Sequence, residues 1–141
     1  MTTRYLDLNY VLPMPALTVS IGRVGERPWL GPIEAVVDTG ADMTVLPLPL
    51  IRRVKAHPVG KGRLRGPWGD AHPVVFFLVE LQIQDLRLPG TQVAGDEAGR
   101  EIILGRNILN KLPLFLDGPQ QQTDLLDDAT ANRLRERRKQ A

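Results

Sequence analysis

The chain has 141 residues, near the commonest domain size and short for two ordinary cores, so a single domain is expected, with any second half supplied by another chain. Its 43% hydrophobic and 24% charged residues are ordinary for a globular chain in water, the 5% aromatic content predicts an aliphatic core, and a formal net charge of +2 is too small to point to a nucleic-acid partner. The absence of cysteine excludes a disulfide framework and thiol catalysis, and with His57 and His72 the only histidines, zinc sites built from several His or Cys ligands are excluded too.

Thirteen Gly and twelve Pro, interleaved with short runs of Val, Leu and Ile, predict strands and turns rather than long helices, hence an all-β chain. The opening "MTTRYLDLNYVLPMP" has Asp7, Pro13 and Pro15 where a signal peptide needs a continuous apolar stretch. No run reaches the ~18 apolar residues of a membrane span, so a cytoplasmic location without a membrane partner is expected. "YLDLNYVL" reads as a terminal strand or a partner of the strand that follows it. In "ALTVSIG", Leu17, Val19 and Ile21 alternate with Thr18 and Ser20, the period of a strand with one buried face. The turn-rich "GERPWLGP" leads into "IEAVV", a strand that runs straight to Asp38. "LPLPLIRRVKAHP" has Pro47 and Pro49 where a helix start tolerates them, then Leu50, Ile51 and Val54 at helical spacing, so it predicts a short helix stopped by Pro58. The Gly- and Pro-dense "VGKGRLRGPWGDAHP" is expected to be too irregular for continuous secondary structure, a mobile hairpin feeding the β-prone "VVFFLVELQI". "LRLPGTQVAG" predicts a further strand, "DEAGRE" an exposed loop, and "IILGRNILNKL" a strand turning at Gly105 into a short helix. "LFLDGPQQQTDLL" reads as a hairpin around Asp117 and Gly118. The tail places Asp127 and Asp128 ahead of Arg135, Arg137, Arg138 and Lys139, an order that complements a helix dipole. Residues 127–141 carry little apolar surface and read as a helical or partly disordered tail after a domain spanning 1–126.

In "AVVDTGADMTVLP" a carboxylate, Asp38, follows an apolar strand directly, where an unpaired buried charge would cost several kcal/mol. Asp-Thr-Gly alone turns up by chance in about one or two chains per hundred of this length, so the weight rests on its setting. An apolar strand precedes it, Ala41-Asp42 follows it, and an "IILGRN" block lies on its C-terminal side. Together these residues resemble the retropepsins, the single-domain aspartic proteases of retroviruses and their cellular relatives, over roughly Ala16 to Leu126. The resemblance implies a closed β-barrel of the acid-protease type with one or two short helices, no cofactor, no metal, and hydrolysis of peptide bonds by activated water. That chemistry needs one group to deprotonate water and another to protonate the substrate carbonyl, and two close carboxylates sharing a proton can do both. With one Asp-Thr-Gly and no second copy, this chain supplies half of such a pair. A homodimer is therefore implied, with Asp38 of both subunits at the two-fold axis, acting on an extended peptide or protein.

By the same resemblance the catalytic residues are Asp38, Thr39 and Gly40: the Thr39 hydroxyl bridges to the other subunit, and Gly40 leaves room for backbone beside the reacting peptide. Ala41 and Asp42 offer backbone and carboxylate contacts to a peptide bound as an added strand, and Ile103 lines its pockets. Asp42 and Arg106 resemble the family's paired aspartate and arginine, which with Asn107 hold the "GRN" helix against the active-site loop. A charged hydrogen bond at a partly buried site of that kind is worth ~1.5 to 3 kcal/mol. Ala41 offers the carboxylates no hydroxyl, which implies a pH optimum of roughly 5 to 7 rather than a strongly acidic one. Retroviral flaps carry a run of glycines at the tip, whereas this chain has "RGPWGDAHP"; Gly66, Trp68 and Gly69 are assigned to a stiffer flap that contacts substrate. Trp68 either closes over substrate or anchors its own loop, and Met43 either makes a pocket more apolar or fills the core. Retroviral chain ends form a sheet between subunits, while this chain continues past "LFLDGP" into its charged tail.

His57 and His72 lie among prolines without a neighbour at ligand spacing and read as surface residues. Arg52, Arg53, Lys55, Lys61, Arg63 and Arg65 have only Asp70 as a nearby acid; they read as a solvated face, with attraction of acidic substrates as the alternative. The cations from Arg133 to Lys139 are interrupted by Glu136 and lack interleaved aromatics for stacking bases. Neither "DEAG" nor "DLLDDAT" has the oxygen-ligand alternation and central glycine of a calcium loop. Two other functions compete with the peptidase: a non-catalytic retropepsin-like module that dimerises or binds peptides, and a nucleic-acid-associated protein whose binding would fall steeply with salt.

Overall fold

The structure, a computed structural model, describes residues 2–7, 10–66 and 68–141. Along these residues the chain runs β1 Thr2–Arg4, β2 Ala16–Arg23, β3 Leu30–Val37, β4 Val45–Pro47, α1 Leu48–Arg53, β5 Pro58–Arg65, β6 Ala71–Ile83 and β7 Leu86–Asp96. It continues through β8 Ile102–Leu104, α2 Arg106–Leu109, β9 Leu114–Asp117, β10 Gln122–Leu125 and α3 Asp128–Gln140. The period-two residues Leu17, Val19 and Ile21 of β2 and Phe77, Val79, Leu81 and Ile83 of β6 are buried against Leu46, Ile51, Val93 and Leu104. The core is aliphatic, as the composition predicts, with Phe77 as its aromatic member.

Six strands close on themselves in the order β2-β3-β8-β4-β7-β6, because β6 pairs back onto β2 from Val19↔Ile83 to Arg23↔Val79. The expected closed β-barrel is thus formed, and closure removes the open edges that a flat sheet would expose. Two of its joints, β3–β8 and β4–β7, are parallel.

Strand β6 is long enough to serve two neighbourhoods. Its Val79–Ile83 half belongs to the barrel, while Ala71–Phe77 pairs with β5. Because β7 reaches no further along β6 than Phe76, Lys61–Arg65 and Ala71–Val75 stand out as a two-stranded ribbon. The ladder continues regularly to Arg65↔Ala71, which corrects the expectation of an irregular segment. The physical reason lies partly at Gly62, where an added Cβ would sit 2.5 Å from the Phe76 ring: the aromatic covers the glycine and the pair holds strand geometry.

The amino-terminal strand also differs from expectation. It is Thr2–Arg4 that pairs with β10, whereas among the described residues Leu6 makes a single bridge, to Met14, and Val11 and Leu12 are exposed. Leu8 and Asn9 of the expected strand lie outside the described residues. Pro13 and Pro15, lacking N–H donors, cannot support a continuous ladder there. Strands β1, β10 and β9 form a separate antiparallel sheet within the one chain.

Helix α1 starts after Pro47 and stops at Arg53, earlier than the Pro58 stop, as Lys55 takes a positive φ of 57°. Helix α3 opens with Asp127, whose carboxylate accepts the Thr130 N–H at 2.7 Å, and buries Ala131. Among the described residues no helix is long and apolar enough to cross a membrane.

Candidate active site

The Asp-Thr-Gly segment leaves the barrel at the end of β3. The Val37 N–H is donated to the Pro15 carbonyl (2.8 Å) and the Asp38 N–H to the Leu104 carbonyl (3.1 Å), so Asp38 is fixed where β3 meets β8. Its carboxylate is half-buried, and Oδ1 accepts the Gly40 N–H at 2.9 Å. A Cβ at Gly40 would lie 3.1 Å from that same oxygen, so glycine lets the loop curl onto the carboxylate. Oδ2 and the Thr39 hydroxyl have no hydrogen-bond partner among the described residues. The isolated chain presents a single carboxylate, not the deeply buried charge that the apolar run suggests.

The loop that follows docks onto α2. This helix has no side-chain cap, and its first free N–H groups are taken by loop carbonyls: Arg106 N–H to Ala41 (2.8 Å) and Asn107 N–H to Asp42 (3.2 Å). Contact this close requires Gly105, where a Cβ would come within 2.6 Å of the Met43 carbonyl carbon and 2.7 Å of its oxygen. The Arg106 guanidinium donates to the Thr39 carbonyl at 2.8 Å and to the Asp42 carboxylate. Asp42 is 82% exposed in this pair, which corrects the expected part-buried bond: the pair is a surface one, worth about 0.2–1 kcal/mol.

The sequence reading missed Thr44. It is fully buried; its hydroxyl donates to Asn107 Oδ1 (2.9 Å) and accepts the Gly105 N–H (3.0 Å), while its own N–H also reaches Asn107 Oδ1 (2.9 Å). Asn107 completes the link by donating to the Gln92 carbonyl of β7 at 2.8 Å. The available signal was a lone hydroxyl inside the apolar run "MTVL", where a buried polar group demands partners. Tyr10 was missed too: its hydroxyl bonds the Glu101 carboxylate, and burial, then that carboxylate, pushes its pKa up to about 12.

Ile103 faces away from the core between buried Ile102 and Leu104, and it lines a groove of about 1050 Å³ beneath the β5–β6 ribbon. Gly66 lines that groove as well, whereas Trp68 is 94% exposed and, with Gly69, stands at the ribbon tip away from the groove wall. Residue 67 lies outside the described residues. Met43 is half-buried, and its backbone touches Gly105. Among the described residues no His, Cys, Asp and Glu cluster could hold a metal ion.

The family model described as a gag-polyprotein putative aspartyl protease matches residues 31–111, more than half of the chain. The chain belongs to that family. The matched span contains Asp38, the ribbon, Ile103 and Arg106. No curated protein matches. Among solved structures, the protease of EIAV, determined in complex with the inhibitor HBY-793, is 23% identical with a TM-score of 0.54, covering 75% of this chain and 91% of that one. A retropepsin-like aspartic protease from Rickettsia conorii is 12% identical, with a TM-score of 0.56 and coverage of 89% and 90%. The retroviral protease-like domain of Ddi1 from Leishmania major is 17% identical, with a TM-score of 0.52 and coverage of 82% and 90%. At these identities the likeness is one of fold, and the fold of this family member is retropepsin-like.

Proposed function

We propose that the protein is an aspartic endopeptidase whose active site forms between two copies of the chain, each contributing Asp38. The observation that carries this reading is the Asp38 loop: a half-buried carboxylate held by the Gly40 N–H, with one oxygen unengaged, on a loop braced by Gly105, Arg106 and Thr44. In the dimer the two carboxylates share a proton, since close like charges disfavour double ionisation. The ionised one takes a proton from water as its oxygen bonds the peptide carbon. The protonated one gives its proton to the carbonyl oxygen. On collapse of the tetrahedral intermediate the carboxyl that took the water proton passes it to the leaving nitrogen, the other takes a proton from an intermediate hydroxyl, the C–N bond breaks, and the pair again shares one proton.

The unpartnered Thr39 hydroxyl suits a bridge to the second subunit, and Gly40 keeps space beside the reacting peptide. Ala41 and Asp42 then contact substrate backbone, Ile103 and Gly66 line its side-chain pockets, and Trp68 and Gly69 close over it from the ribbon tip. Residues 1–126 form the peptidase unit and 127–141 its appended helix. The substrate is an extended peptide or protein segment.

The test is cleavage of a diverse peptide pool by wild type and Asp38→Asn, with an inhibitor mimicking the tetrahedral intermediate and with oligomeric state measured by sedimentation. Cleavage that is lost in Asp38→Asn and blocked by the inhibitor is expected. A dimer that cuts nothing across the pH range would replace the peptidase with a peptide-binding module.

A further inference from the structure

We infer that the groove under the β5–β6 ribbon selects peptides carrying an acidic side chain outside the pair of residues joined by the cleaved bond. This deepens the peptidase reading and rests on it. The groove begins at Ile103, which pairs with Val36 two residues before Asp38, so the end nearest the reaction is apolar. Val45, Ile51 and Phe77 continue that apolar lining. Its cations, Arg52, Lys61 and Arg65, come from α1 and β5, elements that share no strand pairing with the Asp38 loop.

Two features make these cations more than a solvated fringe. Along β5, Lys61, Arg63 and Arg65 fall on one face at period two, and their cross-strand partners on β6 are Val75, Pro73 and Ala71. Acids directly opposite would stabilise such a row of cations; here all three opposing residues are uncharged. Further, none of Arg52, Lys61 and Arg65 takes part in an ion pair among the described residues. The groove's acids lie at the end of β7 and just beyond it: Asp96 has Oδ1 engaged by the Ala98 N–H (3.0 Å), and Glu97 is exposed, with no ion pair among the described residues. His72 is held by Asp70. Three unpaired cations on the roof and α1 therefore face two adjacent carboxylates at the end of β7, and a substrate carboxylate entering beneath the ribbon meets cations from two elements.

The experiment compares peptides identical except for Glu, Gln or Lys at each flanking position, with wild type and with Arg52→Glu, Lys61→Glu and Arg65→Glu. One exposed ion pair predicts a preference for Glu over Gln of about fivefold in kcat/KM, and two predict roughly thirtyfold. The effect should sit mainly in KM, shrink in high salt, and turn toward the Lys peptide in the charge-reversed variants. Binding of the same peptides to Asp38→Asn, followed by fluorescence anisotropy, separates this inference from the one beneath it. Cleavage without any Glu preference overturns the groove inference and leaves the peptidase standing. Glu-selective binding without cleavage by wild type overturns the peptidase and keeps the groove inference, and absence of both overturns both.

Discussion

Thr44 joins the active-site loop to α2, and Thr44→Val isolates the contribution of its hydroxyl. Valine keeps the shape of a fully buried side chain but removes the bond to Asn107 Oδ1 (2.9 Å) and the acceptor for the Gly105 N–H (3.0 Å). The Asn107 oxygen retains the Thr44 N–H at 2.9 Å, so it is not orphaned, whereas the Gly105 donor is. A buried donor without an acceptor costs about 1–3 kcal/mol, and a lost neutral hydrogen bond about 0.5–1.5 kcal/mol. These terms overlap, and the added methyl returns about 0.8 kcal/mol, leaving an expected net loss of about 2 kcal/mol. In urea, with a slope near 2 kcal/mol/M, the midpoint should fall by about 1 M at unchanged slope and fixed protein concentration. Thr44→Ser, which loses only a methyl, should lose about half as much. A Thr44→Val midpoint within about 0.2 M of wild type, or a serine variant weaker than the valine one, would refute the reasoning.

Three further outcomes follow from the same geometry. Gly105→Ala puts a methyl 2.6 Å from the Met43 carbonyl carbon, so the loop must move: a loss of about 1–3 kcal/mol and of peptide cleavage is expected, while Gly118→Ala, with nothing within 4 Å, is silent in both assays. Asp42→Ala removes an exposed pair in which Arg106 still holds the Thr39 carbonyl, so thermal or urea unfolding should show a loss of only about 0.2–1 kcal/mol. Asp127 has its pKa lowered from 3.8, first by the Thr130 N–H it caps and by that residue's side chain; its contribution to α3 is full above the ordinary value and lost as pH falls through the depressed one. Helical circular dichroism of wild type should therefore drop in acid, and Asp127→Asn should flatten that step.

Much of the fold was legible because burial imposes a period. Leu17, Val19 and Ile21 announce β2, and Gly105 marks the turn from β8 into α2 for a reason seen in its contact with Met43. Legibility failed where partners are distant in sequence. The Gly62 and Phe76 contact is cross-strand, so "VGKGRLRGPWGDAHP" looks irregular when read alone, yet it supplies half of a regular ribbon. Likewise nothing in "MTTRYLDLNYVLPMP" says that Thr2–Arg4 will find β10 more than a hundred residues later.

The sequence by itself determined the all-β class and the aliphatic core, because periodicity and composition are local properties of the chain, and the Asp-Thr-Gly and "ILGRN" segments carried the resemblance from which the family and its barrel were expected. Only the tertiary structure decided that Thr44 is the buried link, that the Asp42–Arg106 pair lies in water, and that Lys61, Arg63 and Arg65 sit opposite the uncharged Val75, Pro73 and Ala71. Exposure and hydrogen-bond partnership are set by which segments meet, and that depends on the closing of the barrel between β2 and β6, an event no short stretch of residues encodes.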